Sequence, residues 1–321
     1  MKKALAYSIY SIIALSGLTQ IFLLPGILWN ITFPFLQILL LGVAFKAYHT
    51  YKIIRYCSLI IGLMFIAEIG FTIYSNSNID SEEMEKELTI MSYNLFFKNA
   101  NSKQSIAIIK QTDPDILVVQ ELTPNWALKL EKSLGERYRY KQTKPLKGTH
   151  GIGIYSKHKI SNQKLLTNSS NLPYAQIVDL SIKDKYIQII NTHLASPAIA
   201  VENKDKFFTL YKENYQVRKK QINEINSIAK IGANKYDCQL LVGDLNTLHS
   251  EPLFKRLKLK WVNSNNALLR WTKFNFPHSS KIFPIVTLDY ILGRGKLKFI
   301  ETKVIKGGSS DHLPIMAKLN V

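Results

Sequence analysis

The sequence has few cysteines, few acidic residues and no internal repeats or low-complexity tracts. Only two cysteines occur in 321 residues. Cys57 lies in a long apolar segment and Cys238 directly precedes a predicted buried strand, so the two do not reach each other and a disulfide framework is excluded. Neither has a metal-ligating partner close in the sequence. Both are therefore predicted to pack as small apolar side chains.

Acidic residues are too few to balance the basic ones. The chain has 42 Lys and Arg against 23 Asp and Glu, a formal net charge of +19. Residues 88–321 hold 36 of these basic residues and 17 of the acidic ones, so the whole excess lies in that part. Such a charge favours polyanionic partners, namely nucleic acid, phosphorylated small molecules or anionic lipid head groups. The alternative is a basic surface that only keeps the protein soluble.

Residues 1–74 lack the amphipathic pattern of soluble helices and are almost wholly apolar. Three segments, 4–24, 31–45 and 53–74, are candidates for membrane spans, because a helix needs about 20 mostly apolar residues to cross a bilayer. The alternative is a cleaved signal peptide followed by buried core helices. Three such segments favour an anchor of about three helices at 1–74, joined by a polar, acidic linker at 75–87 to a domain at 88–321.

Basic residues beside the three segments predict their orientation. Lys2 and Lys3 precede the first segment, and Lys46, Lys52 and Arg55 lie between the second and the third. The positive-inside rule then puts the N-terminus and the second loop in the cytoplasm. With three spans, residues after 74 are extracytoplasmic and the protein is a multi-pass protein of the inner (plasma) membrane. If the short second segment does not cross, this orientation reverses.

Short apolar strands alternate with helices after residue 88. Strands are predicted at 88–97, 116–120, 151–155, 175–182, 186–193, 239–243, 287–292 and 315–319, and helices at 103–111, 124–134 and 211–232. Many strands with few helices between them predict an α/β (α+β) fold. We expect a four-layer αββα sandwich in which two mainly antiparallel sheets pack face to face, with helices outside.

Polar residues of a similar kind follow these strands. The segment "LVGDLNTLHS", residues 241–250, is typical: an apolar strand runs directly into a carboxylate and an amide. Singly, such residues are often turn or capping groups. Together, the acidic and amide oxygens suit Mg²⁺, and two histidines suit phosphate oxygens. This combination indicates metal-assisted phosphoester hydrolysis. The set is Asn94, Glu121, His193, Asp244, Asn246, Asp289, Asp311 and His312.

The same residues carry a resemblance to the endonuclease/exonuclease/phosphatase superfamily, which includes exonuclease III-like repair nucleases, DNase I, neutral sphingomyelinases and inositol polyphosphate 5-phosphatases. The resemblance covers about residues 88–321, and its strength lies in the order of the motifs. The matching strings are "SYNL" with Asn94, "VVQEL" with Glu121, "NTHL" with His193, "GDLN" with Asp244 and Asn246, "LDYI" with Asp289, and "SDHLP" with Asp311 and His312.

The resemblance implies a role for each position. It implies that Glu121 is the main Mg²⁺ ligand, with Asn94 and Asp311 close to the same ion and Mn²⁺ as a substitute metal. Asp244 resembles the residue that activates the attacking water, and Asn246 the amide that orients the water or the phosphate. His193 and His312 resemble the pair that binds the scissile phosphate, with Asp289 holding His312. The sequence leaves open whether Asp244 or His312 is the base.

One departure from the family bears on the substrate. The chain has no match to the tyrosine-containing segment that exonuclease III-like AP endonucleases carry between their glutamate and aspartate motifs, which disfavours abasic-site repair. Residues 204–220 instead interleave aromatic and basic side chains. This segment could stack bases and follow phosphates, contact anionic lipid head groups, or form an amphipathic helix packed on the sheet.

The resemblance therefore implies a Mg²⁺-dependent phosphodiesterase, most simply a membrane-anchored nuclease with an extracytoplasmic catalytic domain. Its partners would be nucleic acid or another phosphodiester substrate and, through the N-terminal helices, the membrane; no protein partner is implied. The alternative within the same chemistry is a phosphatase or a sphingomyelinase-like phosphodiesterase acting on lipid or small phosphoesters. The non-enzymatic alternative is a tethered polyanion-binding domain.

Overall fold

The computed structural model describes residues 87–321, except for 100, 183, 250, 259–260, 265–273, 279–283 and 285. Twelve strands are found among these residues. They are β1 (Glu87–Asn94), β2 (Ile116–Gln120), β3 (Tyr140–Lys144), β4 (Ile152–Ser156), β5 (Ile160–Thr167), β6 (Pro173–Ile182), β7 (Lys185–His193), β8 (Cys238–Asp244), β9 (Val262–Asn263), β10 (Asp289–Gly295), β11 (Lys298–Val304) and β12 (Ile315–Asn320).

Five α-helices connect these strands in the described part of the chain. They are α1 (Ser102–Thr112), α2 (Pro124–Leu134), α3 (Ala198–Glu202), α4 (Phe207–Ile231) and α5 (Pro252–Lys258). Helix α2 begins where the sequence provides a start signal: the Thr123 side chain caps the backbone N–H of Trp126, and Pro124 occupies the first turn. Proline costs little there because its missing N–H has no partner in the first turn of a helix.

The strands form two six-stranded mixed sheets. The first has the order β11-β12-β1-β2-β4-β3 and the second β5-β6-β7-β8-β10-β9. The pairs β1–β2 and β7–β8 are parallel, and the other pairs are antiparallel. The predicted fold, two packed sheets with flanking helices, is confirmed.

The core explains why the sheets pack in this way. On β1, Leu88 and Ile90 join the apolar layer between the two sheets, where they meet side chains such as Val178 and Leu240 of the second sheet. The alternate residues of β1, Met91 among them, belong to a second cluster with α1 and α2. Side chains of one strand alternate between its two faces, so both faces of the first sheet are buried.

Seven of the predicted elements agree with the structure to within one residue at each end: 103–111, 116–120, 124–134, 151–155, 186–193, 239–243 and 315–319. The strand predicted at 88–97 ends earlier, at Asn94, and the long helix begins at Phe207 instead of 211. Four strands were missed: β3, β5, β9 and β11. Three of these are largely exposed and polar, and β9 has two residues, so none carries the apolar signal of a buried strand.

The predicted anchor, residues 1–74, and nearly all of the linker lie outside the described residues, as does Cys57. Among the helices of the described part, none is long and apolar enough to cross a bilayer. Glu87, taken as the last linker residue, begins β1. Cys238 is buried, as the sequence predicts.

Candidate active site

The predicted site residues come together at one rim of the two sheets. Asn94 ends β1, His193 ends β7 and Asp244 ends β8. The parallel pairing of β7 and β8 sets His193 opposite Asp244, and the antiparallel pairing of β10 sets Asp289 opposite Asp244 as well. Strand topology thus gathers residues that are distant in sequence.

The turn after β8 aims Asp244 into the site. Gly243 has φ of 137°, and a Cβ atom there would lie 2.0 Å from the carbonyl oxygen of Thr192, so the sharp turn at this strand end requires glycine. Asn246 has φ of 45°, a left-handed conformation that asparagine tolerates better than most residues. Its backbone N–H donates to Oδ1 of Asp244 at 2.8 Å, which fixes the carboxylate.

Asn94 links the two sheets through carboxylates. Its Nδ2 donates to Oε1 of Glu121 at 3.2 Å and to Oδ2 of Asp244 at 3.1 Å. Glu121 also accepts a hydrogen bond from the backbone N–H of Phe97 at 2.8 Å. The backbone of Glu121 has φ of 56°, which is unusual for a long side chain and costs about 1–3 kcal/mol. Backbone strain of this kind clusters at functional sites.

Each of the two histidines is held through Nδ1 by its own partner and directs Nε2 toward Asp244. Nδ1 of His193 lies 3.0 Å from the carbonyl oxygen of Thr149; a carbonyl only accepts, so Nδ1 carries the hydrogen. Its Nε2 lies 3.6 Å from Oδ2 of Asp244. His312 directs Nδ1 to Oδ2 of Asp289 at 2.6 Å, and its Nε2 lies 3.8 Å from Oδ2 of Asp244.

The electrostatics of the site favour unusual protonation states. Burial raises the pKa of Asp244, and the charge of Asp289 adds to this, while His312 and His193 oppose it. Burial disfavours the charged form of His312, but the hydrogen bond and charge of Asp289, together with Asp244 and Asp311, outweigh it and raise the pKa of His312 to about 10. The site therefore combines the Asp244 carboxylate, whose proton affinity is raised, with the protonated ring of His312.

The site offers two groups of side chains that could hold a divalent cation. Around Glu121, burial raises the pKa of Asp311; His312 opposes this shift and the charge of Glu121 adds to it, so a cation would relieve carboxylate repulsion. In addition, Asp244, Asp289 and His312 have ligand atoms within 4.8 Å of one another. Oδ1 of Asp289 is buried and has no hydrogen-bond partner in the described part of the chain. Carboxylate oxygens are the ligands that hard cations prefer, so the residues fit such an ion.

Several supporting residues escaped the sequence analysis. Thr149 holds His193 through a backbone carbonyl, which leaves no side-chain signal. Asn275 donates to Oδ2 of Asp289 at 2.8 Å, and Ser310 donates to the carbonyl oxygen of Asn94 at 2.7 Å. Phe276, which the sequence places in an aromatic and basic stretch before Asp289 without a role in the site, has its ring 4.6 Å from that of His312. Asn275 and Phe276 precede Asp289 in the sequence, but neither stands at a predicted strand end.

His150 is a further histidine of the site region that was not predicted. Burial lowers the pKa of His150, and the charge of His193 lowers it further, while Glu121 opposes the shift. These electrostatic interactions indicate that His150 lies near the predicted histidine and the predicted metal ligand.

The aromatic and basic segment after β7 is packed through three side chains and otherwise largely exposed. Tyr211 and Tyr215 are buried, and Arg218 is fully buried, so these three belong to the face of α4 that packs on the second sheet. Phe208 is 70% exposed. A second aromatic and basic stretch precedes Asp289 in the sequence, from Trp261 to Phe276; Trp261 is buried, and Trp271 lies outside the described residues.

This fold and this site define a class of protein, the metal-dependent phosphoesterases. The model of the endonuclease/exonuclease/phosphatase family matches residues 91–312, more than half of the chain, and the protein belongs to that family. No curated protein sequence matches the chain significantly.

Solved structures share the fold. TDP2 from D. rerio, in complex with a single-strand DNA product, superposes with a TM-score of 0.59 at 16% identity, covering 74% of this chain and 100% of that one. TDP2 from C. elegans gives a TM-score of 0.58 at 20% identity, covering 75% and 77%. A family member from Bacteroides vulgatus gives 0.56 at 15% identity, covering 74% and 100%. At these identities the likeness shows the fold, and the residue roles remain predictions.

Proposed function

We propose that the protein is a Mg²⁺-dependent phosphodiesterase that cleaves nucleic acid. The observation that carries this proposal is the bridge made by Asn94, whose amide joins Glu121 of one sheet edge to Asp244 of the other. Through that bridge a carboxylate suited to a metal ion and a carboxylate suited to proton transfer lie side by side. Hydrolysis of a phosphodiester needs both functions in one place.

The chain's own residues have complementary tasks in this proposal. Asp244 accepts the proton of the attacking water, because its raised pKa makes it a stronger base than an exposed carboxylate. His312, kept protonated by Asp289, donates a hydrogen bond to a phosphate oxygen as negative charge develops. His193 contacts the phosphate through Nε2. Glu121 and Asp311, beside Asn94, would hold a Mg²⁺ ion, which would supply Lewis-acid polarisation of the phosphate and neutralise its charge.

Charge supports nucleic acid as the substrate class. The excess of +19 lies in residues 88–321, and the basic excess favours a long polyanion over a small phosphoester. The D. rerio TDP2 structure of the same fold contains a single-strand DNA product.

A direct test uses the full-length chain with single-stranded DNA, double-stranded DNA, RNA and a chromogenic phosphodiester, each with Mg²⁺, Mn²⁺ or EDTA. We expect metal-dependent turnover of nucleic acid that the change Glu121→Gln abolishes. The matched control is Glu131→Gln, since Glu131 is a half-exposed carboxylate paired with Lys141 away from the site. Turnover that survives EDTA or Glu121→Gln would refute the proposal.

The apolar segment at residues 1–74 favours a second candidate, a phosphatase or sphingomyelinase-like phosphodiesterase acting on lipid head groups or small phosphoesters. Salt separates the two candidates. The logarithm of nucleic-acid affinity should fall linearly with the logarithm of the salt concentration, whereas hydrolysis of a small phosphomonoester should respond far less. Turnover of sphingomyelin or inositol phosphates without turnover of nucleic acid would favour the second candidate.

We also propose that residues 1–74 anchor the enzyme in the inner membrane by about three helices, with the catalytic domain outside the cytoplasm. The support is the length of the apolar segments and the basic residues between them. A reporter fused after Val321 should be active outside the cytoplasm. Activity restricted to the cytoplasm would reverse the orientation and favour an intracellular nuclease.

A further inference from the structure

Helix α4 presents three buried or half-buried polar side chains to the loops that carry the site. Asn214, Arg218 and Gln221 are four and three residues apart, a spacing that puts them on one helical face. On the same face Ile222 and Ile225 pack in the interior. Arg218 and Gln221 therefore lie on the buried side of α4, and Asn214 lies at its edge.

Two of these residues hold the loop after His193. The side-chain amide of Asn214 donates to the carbonyl oxygens of Ala195 at 3.2 Å and Ser196 at 2.9 Å. Gln221 accepts a hydrogen bond from the backbone N–H of Ala195 at 3.1 Å. The backbone that follows the β7 histidine is thus tied to α4.

Arg218 holds the loop that follows β8. Its Nη1 donates to the carbonyl oxygen of Asn246 and, at 3.1 Å, to Oγ1 of Thr247. Its guanidinium carbon lies 5.7 Å from the centre of the Tyr211 ring. Arg218 is 0% exposed.

The hydrogen bonds of Arg218 act on the turn that aims Asp244. Asn246 stands in the left-handed region with φ of 45°. It donates its backbone N–H to Asp244 and its side-chain amide to the carbonyl oxygen of Leu194 at 2.9 Å. Holding the Asn246 carbonyl therefore restrains the backbone of the residue whose N–H orients the catalytic carboxylate, and the bond to Leu194 ties the two loops together.

Burying a guanidinium is costly, and an apolar side chain of similar volume would be at least as good for packing. The contacts of Arg218 to main-chain and hydroxyl oxygens of the Asp244 turn indicate what the buried charge does here. We propose that Arg218 is a positioning residue for phosphoester hydrolysis, which acts through Asn246 to hold Asp244 in line with the scissile phosphate. This inference rests on the function proposed above.

The test compares Arg218→Ala, Arg218→Lys and Ile222→Ala in the full-length chain, with a chromogenic phosphodiester and Mg²⁺. Because small displacements of reacting groups cost about 100-fold in rate, we expect Arg218→Ala to lower kcat by about that factor while KM changes little. Ile222→Ala destabilises the same helix without touching the turn, and should keep kcat per folded molecule. Methylguanidinium should restore part of the lost kcat in Arg218→Ala and have no effect on Ile222→Ala.

A second readout does not depend on activity. Hydrogen exchange of the peptide spanning residues 242–247 should be faster in Arg218→Ala than in the wild type and in Ile222→Ala. If Arg218→Ala does not fold, Arg218→Lys takes its place, because it keeps the charge but lacks the planar pair of donors; a lower kcat at unchanged KM is again expected.

The outcomes separate this inference from the proposed function. A folded Arg218 variant with wild-type kcat, or with a loss no larger than that of Ile222→Ala, would overturn the role of Arg218 and leave the proposed function intact. If the wild type itself hydrolyses no phosphodiester, the proposed function fails. Unchanged exchange of residues 242–247 would then overturn the positioning role independently.

Discussion

Two buried aspartates at opposite ends of the second sheet differ in the direction of their carboxyl pKa shift, because their hydrogen-bond partners and neighbouring charges differ. Asp244 ends β8 and is 1% exposed, and Asp179 lies in β6 and is 6% exposed. Burial raises the pKa of Asp244, where Asp289 adds a second negative charge. At Asp179 burial acts in the same direction, but hydrogen bonds from Asn162, Tyr236 and Lys235 outweigh it and lower the pKa of the carboxyl.

The difference lies in the partners. Asp179 accepts hydrogen bonds at 2.8 Å from Asn162, 2.7 Å from Tyr236 and 3.2 Å from Lys235. These donors, one of them a lysine, stabilise the charged form of the carboxylate. Asp244 receives neutral amide donors, and the ring nitrogens of His193 and of the protonated His312 lie 3.6 and 3.8 Å away, beyond hydrogen-bonding distance. A buried carboxylate whose charge is only partly compensated is the one available for chemistry.

The largest expected effect comes from neutralising the carboxylate of the site. Asp244→Asn should lower kcat by about 10²–10⁴-fold, the usual contribution of a general base. Burial disfavours the charged form of Asp244, so Asp244→Asn should leave the melting temperature unchanged or raise it. Steady-state kinetics and thermal unfolding of the full-length chain measure both. If the kcat of Asp244→Asn stays within tenfold of the wild type, Asp244 is not the general base.

At Asp179 we expect a loss of stability without a loss of activity. Asp179→Asn should cost about 1–3 kcal/mol of the free energy of unfolding, as for hydrogen bonds to charged groups, and should leave kcat unchanged. Urea denaturation followed by fluorescence gives the difference. The control is Asp184→Asn, an exposed aspartate of the β6–β7 turn, which should change neither quantity. Lost activity at full stability would mean that Asp179 is not purely structural.

The two regions also differ in what the sequence reveals. Inner strands such as β2 and β8 are continuous apolar runs and were predicted, and the residues at their ends were recognised because each stands in a short motif. The exposed strands β3 and β5 carry mainly polar side chains, since only one face or neither meets the core. Their periodicity was therefore too weak to predict them.

The supporting contacts of the site could not be predicted for a different reason. The carbonyl of Thr149 holds His193 across 44 residues, and any residue type provides a carbonyl. Asn275 holds Asp289 across 14 residues, but asparagine in a loop is more often a turn residue. The buried contacts of Arg218 likewise depend on the path of α4 over the sheet, whereas the sequence alone allows three interpretations of the segment that contains this residue.

The smallest expected effect is a pH dependence that tests the sign of the Asp179 shift. A carboxyl whose pKa is lower in the folded state stabilises the protein above its unfolded pKa, about 3.9, and loses that contribution as the pH falls through the folded value. The difference in unfolding free energy between wild type and Asp179→Asn should therefore be constant from about pH 8 to 5 and shrink below about pH 4. Urea midpoints of both proteins across this range measure it. A difference that grows on acidification would mean that the pKa of Asp179 is raised. The carboxyl pKa values of Asp179 and Asp244 would then shift in the same direction, and the contrast between the two aspartates would fail.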